Sequence, residues 1–325
     1  MKSKVVQCVP NFSEGKDKSI IEKIVEPLKH QKGFKLVSYE SDASYNRTVV
    51  TLIGDPYQMI KPLIHFFEKA RDLIDMNHQK GEHPRMGAVD VVPFIPIAGV
   101  SIDECVEYAK VLAKKVNETL NIPIFLYAQA ASNPDRENLP TIRKGEFEGM
   151  KEKIKDPIWK PDYGKPEIHE TFGVTAIGAR IPLIAYNIDL DTDDLDIAKK
   201  LAKTIRKSSG GFQYIQAGPA YLEEKGHTQV TMNILDYKKN PIYRMYEMIQ
   251  MEALRYGVKV KSSEIVGLVP KDAIYRSLTY YLEMHRIAYD KQMSLNQITS
   301  YAIKYLGFRD FDSSKIVEYH IEDQS

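Results

Sequence analysis

The sequence predicts an α+β protein, an α/β sandwich assembled from two copies of a βαββαβ unit. Three observations carry that expectation. Short β-branched and aromatic runs alternate with stretches whose apolar residues recur at helical spacing. The order of these runs in the first half returns in the second. An Asx-Pro pair opens the second helix of each half, Asp55-Pro56 and then Asn240-Pro241. A chain of 325 residues suits about two units of roughly 150 residues each. With 43% hydrophobic and 27% charged residues, it can bury a real core.

In chain order, "KVVQCVPNF" (4–12) reads as the first strand. A helix follows with Ile20, Ile21, Ile24, Val25 and Leu28 on one face. "FKLVSYE" (34–40) and "NRTVVTLIG" (46–54) are two strands joined by a polar connection. Asp55 suits a helix cap and Pro56 the first turn, and Met59, Leu63, Phe66, Phe67 and Ala70 continue that helix. Pro27 and Pro62 fall inside these two helical patterns, which predicts a kink or a displaced boundary at each. "AVDVVPFIPI" (88–97) is a buried strand, Ser101 with Glu104 a capping-box start for a third helix, and "IPIFLYA" (122–128) a further strand.

The second half begins with a strand at 182–190 and a helix at 192–207. Paired β-runs follow at 211–222 and 228–237, then the helix opened by Asn240-Pro241, then a last strand within 258–270. Each half therefore reads as a ferredoxin-like unit. Subdomains of 1–178 and 179–325 are expected, with the proline-rich 130–180 as a connector and a helical region at about 271–305 after the second unit.

Formal net charge is +1, from 45 basic and 44 acidic residues, which argues against a nucleic-acid binder relying on a strong positive field. An RNA-recognition sheet shares the element order, but "GGFQYIQAG" (210–218) lacks that module's basic start and aromatic spacing. Two cysteines, Cys8 and Cys105, suit a reducing compartment. No apolar run approaches the ~20 residues that cross a bilayer, and the N-terminus has no signal-peptide core. The expectation is a cytoplasmic protein with neither nucleic-acid nor membrane partners.

The chemistry concentrates in "KGEHPRMGAVDVVPFIP" (80–96), where His83 lies in a stretch broken by Gly81, Pro84 and Gly87. His78 and His83 are spaced one residue too far apart for H-x-x-E-H, and H-E-x-x-H is absent, so a zinc site is not expected. "GVTAIGAR" (173–180) has two readings that stay open: a tight turn entering a strand, or backbone exposed to a ligand with Arg180 offering a fork to a carboxylate.

The combination of "VPNFSEG", "NRTVVT", "KGEHPRMGAVDVVPFIP", "LPTIRKGEFEGM", "GARIPLIAYNIDL" and "EIVGLVP" resembles the glutamate formimidoyltransferase family, from about residue 4 to beyond 300. The resemblance implies two ferredoxin-like subdomains with a folate-binding tunnel between them. It implies the monofunctional form, since the chain ends at Ser325 without a cyclodeaminase domain. It places the catalytic histidine at His83 and an assisting acidic residue at Asp42 or Glu40, with Asp42 favoured by the local "D-A" pattern. The folate segment maps to Gly164, Lys165, Pro166, Glu167, Ile168, His169, Glu170, Thr171, Phe172 and Gly173, followed by Arg180 as a carboxylate holder. Arg47 and Arg85 are further candidates for that role. The implied partners are folate, glutamate or N-formimidoyl-L-glutamate, and a second copy of the chain in a homodimer. No tightly bound cofactor is implied; tetrahydrofolate is a co-substrate.

The implied reaction moves a formimidoyl group between glutamate and N5 of tetrahydrofolate. The attacking amine must lose a proton and the departing one must gain it. An imidazole with an ordinary pKa of ~6.5 can do both in turn. Such a shuttle is usually oriented by a carboxylate or carbonyl, here Asp42, Glu40 or Glu82. Alternatives are transfer of a formyl group from 5-formyltetrahydrofolate, a folate-binding module without turnover, and an RNA-binding ferredoxin-like protein.

Overall fold

In the computed structural model, which describes residues 4–322, the chain forms two compact units dividing between Arg180 and Ile181. The first runs β1 (Val5–Cys8), β2 (Asn11–Phe12), α1 (Lys18–Val25), β3 (Phe34–Asp42), β4 (Arg47–Gly54), α2 (Pro56–Leu73), β5 (Val89–Ala98), α3 (Ile102–Leu120), β6 (Ile124–Ala128), α4 (Leu139–Arg143), α5 (Glu146–Lys153) and β7 (Thr175–Ala179). The caps expected from the sequence are present. The Asp55 carboxylate accepts from the Tyr57 amide at 2.8 Å, and Ser101 with Glu104 closes a capping box on α3.

Three local expectations are revised. The run 4–12 is two strands, because Pro10 has no N–H to offer the ladder; its carbonyl instead accepts from Val50 N at 2.8 Å. At Pro27 the boundary is displaced as expected, α1 giving way to a 3₁₀ turn over Glu26–Leu28. Pro62 ends nothing: it is buried inside α2, which continues to Leu73. The connector 130–180 is also more ordered than its prolines suggest, since it carries α4, α5 and β7.

Across the first sheet the order is β3, β4, then β1 and β2 end to end, then β5, β7 and β6. β3, β4, β1 and β5 pair antiparallel, whereas β7 lies parallel between β5 and β6. Residue alternation builds two cores. Ile124 and Leu126 of β6 face the main core with α1, α2 and α3; Phe125 and Tyr127 face a smaller one with Ile142 of α4 and Met150 of α5. That smaller layer places α4 and α5 on the sheet face opposite the three long helices. The turn-or-ligand question at "GVTAIGAR" resolves toward packing: β7 is buried throughout, and a Cβ on Gly178 would stand 2.2 Å from the Tyr127 carbonyl oxygen.

The second unit runs β8 (Ile184–Leu190), α6 (Leu195–Ile205), β9 (Ile215–Leu222), β10 (His227–Ile234), α7 (Ile242–Leu254), β11 (Val260–Val266), α8 (Lys271–Met284), α9 (Leu295–Leu306) and α10 (Tyr319–Glu322). Its sheet order is β11-β8-β10-β9, antiparallel throughout. Ile184, Tyr186, Ile188 and Leu190 face the helices. Ala185 and Asn187, on the other face, line an open hollow of about 430 Å³ with Gln216, Thr231 and Asn233. Asp189 shares that register but is buried, accepting from Gln229, Ser262 and Arg309. Among the described residues, no helix is long and apolar enough to cross a membrane.

Candidate active site

Asn46 ties together three loops that are distant in sequence. Its backbone is left-handed (φ 49°), a conformation asparagine tolerates better than most residues, and it sits in the turn between β3 and β4. Its side-chain oxygen accepts from Gly15 N at 2.9 Å and its amide donates to Lys80 O at 2.9 Å. Its own carbonyl accepts from Gln79 Nε2 at 3.0 Å. The loop after β2, the β3–β4 turn and the loop before β5 are therefore one assembly. Two glycines permit the approach: a Cβ on Gly15 would lie 2.2 Å from Asp42 O, and one on Gly81 would lie 2.3 Å from Tyr45 O.

Two arginines then fasten "LPTIRKGEFEGM" onto "PRMGAVD". Arg85 is buried and all five of its N–H donors are taken. Nε goes to Gln79 Oε1, Nη1 to Glu146 and Glu148, and Nη2 to Glu148 and the Gln79 carbonyl, at 2.8–3.1 Å. This arginine anchors α5 and has no donor left for a substrate carboxylate. Arg143, the last residue of α4, donates through Nε (2.9 Å) and Nη2 to Asp90 Oδ2, and Asp90 Oδ1 accepts from Met86 N at 2.9 Å. Asp90 is buried in β5. Burial pushes its carboxyl upward against the opposing pull of Arg143 and the Met86 amide.

His83 stands partly buried on the rim of this assembly, its ring 6.1 Å from that of Tyr45. The Arg47 guanidinium lies over the other aromatic partner, 5.5 Å from the Tyr45 ring centre. Burial comes first, then repulsion from Arg47 and Arg143, in lowering the His83 imidazole to about 4. The ring is thus neutral near pH 7, a proton acceptor from the outset.

The other residues expected at a site are distributed unevenly. Asp42 is exposed at the end of β3, where its carboxylate accepts from Tyr45 N at 2.8 Å and its charge favours protonated Arg47. Glu40, also exposed, pairs with Val49 across the ladder. Among the described residues, neither carboxylate, nor Glu82, hydrogen-bonds to His83. Segment 164–173 divides in two. Gly164, Lys165, Glu167, Ile168 and His169 line a cavity of about 410 Å³ with Asn117, Asn121 and Pro123, and Pro166 is exposed beside it. Thr171, Phe172 and Gly173 are stitched instead to the chain preceding β5: Met76 N donates to Thr171 O and Ala88 N to Phe172 O, both at 2.8 Å. Asn77 Nδ2 donates to Glu170 O at 3.0 Å. Phe172 is fully buried against Phe67, and a Cβ on Gly173 (φ 86°) would collide with Met86 O, so both serve packing. Arg180 hydrogen-bonds to the buried Tyr127 hydroxyl.

Comparison with known proteins decides the family. The profile for the formiminotransferase domain, N-terminal subdomain, matches residues 5–180, and the profile for the formiminotransferase domain matches residues 185–322. The chain belongs to the formiminotransferase family. A glutamate formimidoyltransferase of Streptococcus pyogenes serotype M1 is 47% identical over 91% of this chain and 99% of its own length. One from Thermoplasma acidophilum is 42% identical over 86% of this chain and 93% of its own. The formimidoyltransferase-cyclodeaminase of Mus musculus is 36% identical over 99% of this chain, which spans 60% of that longer protein.

Within this formiminotransferase, sequence reasoning did not single out Asp90, Arg143, Asn46 or Tyr45. A signal existed for Asp90, a lone carboxylate inside the apolar run "AVDVVPFIPI" that has to find a cation once buried. No comparable signal pointed to Arg143, which has the look of a solvated helix-end arginine until the tertiary pairing is seen.

Proposed function

We propose that this formiminotransferase is a glutamate formimidoyltransferase, a one-carbon transferase moving the formimidoyl group between N-formimidoyl-L-glutamate and tetrahydrofolate, with His83 as general base and acid. The observation that carries the reading is a neutral imidazole on a loop held in place by Asn46 and Arg85, in a chain 47% identical to a curated protein of that name. N5 of tetrahydrofolate attacks the amidine carbon, forming one C–N bond. His83 takes the N5 proton as the tetrahedral intermediate forms, then delivers it to the glutamate nitrogen as the old C–N bond breaks. The proton lost by one amine is the proton gained by the other, so the step balances. Asp42, with its charge directed toward Arg47 and the 42–47 turn, stabilises positive charge on the amidine from the rim.

The cavity at 164–169 supports reading that end of the segment as the folate contact. Within the first unit's seven-stranded sheet the order β5-β1-β4-β3 matches β11-β8-β10-β9 of the second, which supports reading the units as duplicated ferredoxin-like subdomains. A cytoplasmic homodimer completes the proposal, on the sequence grounds given above.

The direct test incubates the protein with 5-formimidoyl- and 5-formyltetrahydrofolate, each with glutamate, and identifies products by mass spectrometry. Faster use of the formimidoyl donor is expected. Turnover of the formyl donor alone would replace this reading with a formyltransferase.

A further inference from the structure

Two guanidinium groups act on His83, and among the described residues only one carboxylate, Asp90, is hydrogen-bonded to either of them. Arg143 uses Nε and Nη2 on Asp90, while its Nη1 makes no hydrogen bond among the described residues. Arg47 is the more telling case. Its Nε is buried without a hydrogen-bond partner, and among the described residues no carboxylate lies at ion-pair distance from its guanidinium. The two remaining arginines nearby are engaged, Arg85 by Gln79, Glu146 and Glu148 and Arg180 by Tyr127. The ring of Tyr45 orients Arg47 from below. A buried donor of this kind is costly unless something accepts from it, and a guanidinium fork matches a carboxylate.

We infer that Arg47 and Arg143 together receive the α-carboxylate of the glutamyl substrate beside His83. The inference rests on the proposed function and extends it to a recognition site. The choice of the α-carboxylate follows from connectivity. The nitrogen bearing the formimidoyl group is on the α-carbon, so the α-carboxyl carbon is its near neighbour, and the γ-carboxylate is not. Arg47 and His83 pack against the same Tyr45 ring, at 5.5 and 6.1 Å from its centre, so an anion held by Arg47 is held near the reacting nitrogen. The field of both arginines at His83 agrees with that placement. Folate does not fit the role, because its glutamyl tail is separated from N5 by the aminobenzoyl group. Binding has a second consequence: the carboxylate offsets the arginines' share of the His83 depression, burial being the larger cause, and so makes the imidazole a better proton acceptor once substrate is in place.

The test compares N-formimidoyl-L-glutamate with its α-carboxamide and its γ-carboxamide, in wild type and in Arg47→Gln and Arg47→Lys proteins. Wild type should prefer the α-acid over the α-carboxamide by about 10–100-fold in kcat/KM, the range for a charged hydrogen bond. Arg47→Gln should lose most of that preference, raise KM for formimidoylglutamate, leave KM for tetrahydrofolate within about twofold, and keep its γ-carboxamide discrimination. Arg47→Lys should fall between. Wild type that uses the α-carboxamide as readily as the acid overturns the inference without recourse to any variant. So does an Arg47→Gln protein that retains the α-preference or loses the γ-preference instead. Wild type that transfers no formimidoyl group overturns the functional reading, and the inference with it.

Discussion

Arg143 and Asp90 are 53 residues apart in sequence and form a buried pair, the guanidinium reaching Asp90 Oδ2 through both Nε and Nη2. The pair joins the end of α4 to the start of β5. It also positions one of the two charges that keep His83 neutral. Breaking a buried pair from one side leaves an unbalanced charge, whereas removing both partners does not. Arg143→Ala should therefore lower the unfolding free energy by about 3–5 kcal/mol, with Asp90→Asn/Arg143→Ala less destabilised than the two single effects summed. Urea unfolding of the four proteins in the cycle measures this. Strict additivity would mean that the two residues do not act as a pair.

His83→Ala should reduce turnover by about 10²–10⁴-fold while leaving folate affinity close to that of wild type. The ring makes no hydrogen bond that the fold depends on among the described residues, so the variant should fold. Steady-state rates combined with folate binding by fluorescence distinguish the two effects. Near-normal turnover in a folded variant would remove His83 from the mechanism.

The pH dependence follows from the depressed imidazole, about 4 against an ordinary 6.5. Between these values the unfolded chain binds a proton at His83 that the folded protein does not. This group's contribution to stability is thus fully present above pH 6.5 and is lost as pH falls through 4. The stability difference between wild type and His83→Gln should shrink from pH 7 to pH 4. In the free protein the acid limb of kcat/KM should fall near 4, and so should the His83 ring in an NMR titration. A ring titrating near 6.5 would show that neither burial nor the two arginines act on it as described.

Glycine substitutions separate close packing from open helix surface. Gly81→Ala places a methyl 2.3 Å from the Tyr45 carbonyl oxygen, so the 42–47 turn has to move. The expected result is a loss of about 1–3 kcal/mol, accompanied by reduced activity. Gly149→Ala, in α5 with nothing within 4 Å of the added Cβ, should instead gain about 0.5–1 kcal/mol. Thermal melts with parallel activity assays check both. A neutral Gly81→Ala would mean that the turn accommodates the methyl freely.

Much of the architecture was legible because it depends on local rules. Asp55-Pro56 and the Ser101–Glu104 box mark helix starts through hydrogen bonds made within a few residues. Ile124 to Tyr127 announce a strand with two buried faces simply by being apolar at every position. The break at Pro10 was not read because the strand is interrupted while its direction is kept. The continuity of α2 through Pro62 was legible in its apolar spacing, because packing around a buried proline outweighs one lost backbone bond.

The site shows the same division more sharply. His83 and the surrounding motifs were visible by themselves, since an imidazole in a Gly/Pro-broken loop is conspicuous and the motif set is specific. Sequence alone determined the mixed α+β class, the order of most elements outside 130–180, the family resemblance and the position of the imidazole. Only the tertiary structure decided which charges surround it. In the sequence Arg85 and Arg47 read alike, as candidates to hold a carboxylate or as surface ion pairs, and Arg143 was not singled out. Packing separates them: Glu146, Glu148 and Gln79 consume every donor of Arg85, Asp90 takes two from Arg143, and Arg47 keeps a buried Nε with no acceptor among the described residues. The physical reason is that hydrogen-bond capacity belongs to a residue, but its allocation depends on partners that approach across 50 residues or more of chain.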